Sequence, residues 1–178
     1  MNKPIIGYRI WRYRTVEGAL RSFIMEGVKW EPKKPITSHC FYGSGRFGIC
    51  KLSNHESLTG YGIHAWKDLD AVYDYIVGST YMFKYDVIII GKVALWGYVA
   101  EHKKGYRAEF AYPYKLEFAF SNIPNVDYNE IRKHLQNLYG CEVEKLESND
   151  NEIAEDVRKK LKDVTHLRRR KHEHSTMV

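Results

Sequence analysis

The chain has 178 residues, of which 44% are hydrophobic and 14% aromatic, with 14 tyrosines and a formal net charge of +6. That length and apolar fraction suit one ordinary domain that buries a core without metal or disulfide support. No apolar run approaches the ~18–20 residues needed to span a bilayer, and the N-terminus has no apolar signal region, so the expectation is a soluble, cytoplasmic protein with no membrane partner.

Ile5–Arg14 alternates apolar and polar residues and reads as a strand. A turn at Val16-Glu17-Gly18 leads to Ala19–Met25 as its hairpin partner. Residues 29–62 read as one long loop, with Pro32, Pro35, Gly43, Gly45, Gly48, Gly60 and Gly62. Within it, His39, Cys40, Cys50 and His55 match no standard zinc spacing, and the GxGxxG of residues 43–48 does not sit between a strand and a helix. No metal or cofactor is therefore expected. The three cysteines form no CxxC pair and no disulfide framework.

Residues 62–66 enter a helix over Lys67–Val77, with Leu69, Val72, Tyr73 and Ile76 at helical spacing. Tyr85–Ile90 and Gly91–His102 form one long or bulged strand, and Val87-Ile88-Ile89-Ile90 should be buried on both faces. A hairpin follows through Lys103-Lys104-Gly105, and Leu116–Phe120 is a further strand. Asp127 and Glu130 give a capping-box-like start to a helix carrying Ile131, His134, Leu135 and Leu138, which ends at Gly140. Cys141–Leu146 reads as a last short strand, and Glu152–Val164 as a third helix.

Residues 158–178 hold eight basic and two acidic residues, leaving 20 of each in residues 1–157. The surplus charge thus belongs to the tail. Arg168, Arg169, Arg170 and Lys171 are candidates for contact with nucleic-acid phosphates; a solvated helix end gives the same pattern. The expected organisation is a single domain over 1–164 and a basic, disordered tail over 165–178. Mixed strands and segregated helices point to an α+β fold with a mainly antiparallel sheet.

The hairpin around residues 91–113 is the densest chemical feature. A type I turn with Gly105 in the left-handed region predicts a bulge that sets His102 opposite Tyr106, Glu101 opposite Arg107 and Val99 opposite Glu109. One face then carries Trp96, Tyr98, His102, Tyr106, Phe110 and Tyr112, and the other Glu101, Arg107 and Glu109. The aromatic face reads as core or as a stacking pocket. The charged face reads as a cross-strand ion pair or as a clamp for phosphate or carboxylate.

The pattern LWGxVxEHxxGYRAExAYP, Leu95 to Pro113, resembles a motif of small uncharacterised bacterial and phage proteins. There it follows a segment like CxCGIYAxK, matched here by Tyr61-Gly62-Ile63-His64-Ala65-Trp66-Lys67, with Thr59 and Tyr61 where the cysteines stand. The resemblance covers about 50 residues and implies no activity. More loosely, a helix followed by strands around a small barrel is similar to the PUA/ASCH/EVE-like group. That likeness implies a PUA-like β-barrel with flanking helices and binding of RNA or modified bases.

The leading expectation is a non-enzymatic binding module for a nucleotide, a modified base or single-stranded nucleic acid. Its ligand set is His64, Trp66, Trp96, Glu101, His102, Tyr106, Arg107 and Glu109: rings to stack, Arg107 for a phosphate, and Glu101 or Glu109 for a base edge. The alternative is a phage or mobile-element protein that binds and inhibits a host protein. Acid–base catalysis by Glu101, His102 or Glu109 ranks third, and no residue is assigned as catalytic.

Overall fold

The computed structural model describes residues 3–23, 27–42, 46–49, 62–78, 87–121 and 125–144. In chain order these form β1 (Ile5–Arg14), β2 (Ala19–Ser22), β3 (Ile36–Thr37), β4 (His39–Tyr42), β5 (Arg46–Ile49), β6 (Ile63–Trp66), α1 (Leu69–Gly78), β7 (Val87–Glu101), β8 (Gly105–Phe120), α2 (Tyr128–Tyr139) and β9 (Glu142–Val143). The expected third helix and the tail lie outside the described residues.

Four antiparallel strands close a small barrel. β1 pairs with β7, β7 with β8, β8 with β6, and β6 returns to β1 at Tyr8↔Trp66. β2 and β3 extend the sheet, β9 adds to β8 in parallel, and β4–β5 is a separate hairpin. The expected α+β class with a mainly antiparallel sheet holds at this level.

Bulges let the two long strands coil. Glu117 and Tyr114 are extra residues on β8, while Gly97 and Tyr98 on β7 together oppose Glu109. Each such insertion bends the strand and raises its local twist, which a 15-residue strand needs in order to wrap a barrel of four.

Val87-Ile88-Ile89-Ile90 is buried on both faces, as expected. Val87 and Ile89 join Trp11, Trp30 and Leu116 in one core that includes Ile131, Leu135 and Tyr139 of α2. Ile88 and Ile90 join Ile10, Phe23 and Trp66 in a second core, covered by Val72 and Ile76 of α1.

Both helices begin at an aspartate. The Asp68 carboxylate accepts from Ala71 N at 2.8 Å, and the Asp127 carboxylate accepts from Asn129 N and Glu130 N at 2.9 and 3.0 Å. Gly140 ends α2 at φ 65°, where a residue without Cβ is least strained. Tyrosines then tie α2 to the barrel. The Tyr139 hydroxyl donates to Trp30 O at 2.6 Å and accepts from Leu20 N at 2.9 Å, and the Tyr112 hydroxyl donates to Tyr139 O.

Three sequence expectations are corrected. Residues 62–66 are a strand rather than a helix entry, because Ile63, Ala65 and Trp66 are buried beside β8. The long loop contains β3, β4 and β5, strands of two to four residues too short to show a period. Leu116–Phe120 is the end of β8 and not a separate strand. His134 on α2 is exposed, its ring nitrogen bonding Gly18 O at 2.8 Å.

Candidate functional site

The hairpin register differs from the expected one. Glu101 opposes Tyr106, Ala100 opposes Arg107 and Val99 opposes Ala108. The turn is a two-residue loop in which His102 N donates to Gly105 O at 2.8 Å, with Lys103 and Lys104 both at negative φ. The left-handed glycine is Gly97, at φ 76°, six residues before the turn. Gly105 is required for a different reason. A Cβ there would collide with the Ala65 carbonyl oxygen, so only glycine lets β6 lie against the start of β8.

This close approach joins the two segments that carry the motif resemblance. β6 pairs with β8 through Ile63↔Ala108, His64↔Arg107, Ala65↔Tyr106 and Trp66↔Gly105. Lys67, just past β6, donates its backbone N–H to Lys104 O at 3.1 Å. Its ammonium pairs with Glu101 at 2.5 Å and lies 5.5 Å from the centre of the Tyr106 ring. The hydrogen bond to Glu101 raises the Lys67 pKa. Glu101 thus pairs with Lys67, and the residue across the hairpin from Arg107 is Ala100.

His64, Glu101, His102, Tyr106 and Arg107 thus gather at one barrel end, where β1 begins, β6 ends and the hairpin turns. His64 is half-buried. Desolvation pulls its pKa down to about 4, helped by the positive charges of Arg9, Arg107 and His102. Arg9 donates to His64 O and contacts Ser22 Oγ at 3.4 Å, and its guanidinium stacks 4.8 Å over Trp30. Burial lowers the Arg9 pKa to about 10, so it stays charged at neutral pH.

Trp66 is placed in the core. Its ring packs edge-on to His64 at 4.4 Å and tilts against Tyr75 at 5.1 Å, which commits its area to packing. Trp96 and Glu109 lie further down the hairpin. Trp96 stacks on Phe110 at 6.2 Å, and the Glu109 carboxylate accepts from Tyr98 N at 3.3 Å within the bulge. Beside them is a cleft of about 640 Å³, lined by Lys3, Pro4, Ile5, Trp96, Gly97 and Val99 among others. The expected division into one aromatic and one charged face does not survive, because the bulge at Gly97–Tyr98 shifts the register between its two halves. Arg168, Arg169, Arg170 and Lys171 lie outside the described residues.

Sequence reasoning missed Lys3, Arg9 and Lys67. Lys67 had a signal, since it closes the first motif segment and ends beside the second. Arg9 had none beyond an arginine inside an alternating strand. Lys67, Lys103, Lys104 and Arg107 stand at one barrel end with Glu101, whose carboxylate is paired with Lys67, while Asp68 and Glu109 accept backbone N–H groups. Among the described residues no group of three or more His, Cys, Asp or Glu is arranged to hold a metal. No helix among them is long and apolar enough to cross a membrane. The chain matches no protein-family model, no curated protein and no solved structure.

Proposed function

We propose that the protein is a cytoplasmic, non-enzymatic binding module of the PUA-like kind, taking single-stranded nucleic acid or a nucleotide at the basic end of its barrel. One observation carries this reading: His64, Tyr106 and Arg107 are brought together with Lys103, Lys104 and the Lys67–Glu101 pair at one end of the barrel. Lys103, Lys104 and Arg107 hold the phosphates, and Tyr106 offers a ring to a base, the combination that single-strand binding uses. The tail residues Arg168, Arg169, Arg170 and Lys171 add affinity without selectivity.

Fluorescence anisotropy with a labelled single-stranded oligonucleotide tests it. Arg107→Ala weakens binding by about tenfold, the scale of one charge-assisted contact, and a chain lacking residues 158–178 still binds. Loss of all binding with the tail, together with an unchanged Arg107→Ala variant, overturns the reading. A second reading, a phage or mobile-element factor that occupies a host protein, is favoured by the exposed Ile5, Ile6 and Tyr98.

A further inference from the structure

β7 pairs with β8 as far as Glu101 but with β1 only as far as Leu95. From Trp96 to Glu101 its second edge has no ladder partner among the described residues. The ladder would continue through Pro4 and Lys3, but neither is paired with β7. A cleft of about 640 Å³ lies here, lined by Pro4, Ile5, Trp96 and Val99 among others. Three exposed large hydrophobics, Ile5 at 38%, Ile6 at 38% and Tyr98 at 50%, belong to these same two strand ends. Such an edge recruits another strand.

We propose that this edge is a docking site for an extended peptide that seats an aliphatic side chain in the cleft and carries an acidic residue about four positions away. The cleft fits the anchor, since Lys3 is its only charged lining residue. The edge runs from there toward Lys103 and Lys104, which are exposed at the hairpin tip. At about 3.3 Å per residue Val99 is about 7 Å from Glu101, the last residue of β7, and Lys103 follows two residues on in the turn, which puts the acid about four positions from the anchor. The bulge at Gly97–Tyr98 interrupts a regular edge, which disfavours copy-to-copy sheet growth and leaves Val99–Glu101 for a short segment. A nucleic acid offers no row of alternating N–H and C=O groups, so a strand edge unpaired among the described residues favours a peptide.

This site gives the partner-binding reading a surface and does not depend on nucleic-acid binding. The test uses the full chain and a panel of labelled nine-residue peptides of alternating threonine and valine. Each holds one leucine, with or without aspartate four residues to either side. The aspartate-bearing peptides bind, and the Lys103→Ser/Lys104→Ser double variant weakens them to the level of the neutral ones. N-methylation of one alternate set of peptide amides weakens binding by about tenfold, and methylation of the other set leaves it unchanged, because only one set faces the edge. Absence of binding across the panel, or equal responses to the two methylated sets, overturns the proposal. Neither result bears on oligonucleotide affinity, which is read separately.

Discussion

Arg9 shows how one residue can hold a seam that backbone pairing leaves open. β7 occupies one edge of β1 from Ile5 to Tyr13. The other edge is shared by β6 at Tyr8 and by β2 from Trp11 to Arg14. Between these partners lies a notch. The Arg9 guanidinium spans it, donating to His64 O of β6 and reaching Ser22 Oγ of β2. Truncation leaves a partly buried carbonyl short of a donor and removes the stack on Trp30. Arg9→Ala therefore lowers stability by about 2–4 kcal/mol, read from urea denaturation. Arg9→Lys recovers only part of this, because one ammonium cannot match the fork. His64 beside it makes stability depend on pH. Its folded pKa of about 4 is below the unfolded value of 6.5, so below neutrality the unfolded chain binds the proton more readily. This residue's contribution is intact above about pH 6.5 and declines as pH falls toward about 4. His64→Gln removes that part of the slope, which denaturation midpoints at pH 7 and pH 5 measure.

At the scale of elements, the features legible in the sequence are those set by neighbours in the chain. The start of α2 at Asp127, its stop at Gly140 and the double burial of Val87–Ile90 are local signals and match the structure. Asp127→Ala accordingly costs about 1 kcal/mol of stability, measurable as a shift in the denaturation midpoint. The hairpin register was not legible, because it depends on a strand 40 residues away. Turn chemistry alone assigns Gly105 to a left-handed bulge. The structure instead uses its missing Cβ to admit β6 and puts the left-handed residue at Gly97. The two explanations make opposite predictions for variants. A positive φ at Gly105 would be tolerated by asparagine, whereas a packing constraint rejects any side chain. Gly105→Ala and Gly105→Asn both lose about 1–3 kcal/mol, the range for overpacking, while Gly140→Asn is nearly neutral because open space surrounds that position. Urea denaturation of the three variants decides. The short strands β3 to β5 were illegible for the opposite reason, since two to four residues hold no period to detect.

At the scale of the whole molecule, a charge sum conceals a charge distribution. Residues 1–157 balance 20 bases against 20 acids, which argues from sequence against a basic field on the folded body. Folding sorts those charges. Acids such as Glu117, Glu142 and Glu144 are held by Lys92 and Lys115 along β7 and β8, away from the hairpin tip. Lys67, Lys103, Lys104 and Arg107 collect at the other end, where the strands from 62–67 and 95–113 meet and Glu101 pairs with Lys67. The candidate site was thus legible as a set of residue types and illegible as a place. The salt dependence of binding separates this localised field from the tail. Each phosphate neutralised on a single strand contributes about 0.7 to the slope of log affinity against log salt. If Lys103 and Lys104 each hold one phosphate, the Lys103→Ser/Lys104→Ser double variant reduces the slope by about 1.4 in chains with and without residues 158–178. If the tail alone holds the strand, the double variant leaves the slope of the full chain unchanged and removal of the tail abolishes it. Anisotropy titrations over a series of salt concentrations, run on the four chains together, distinguish these outcomes.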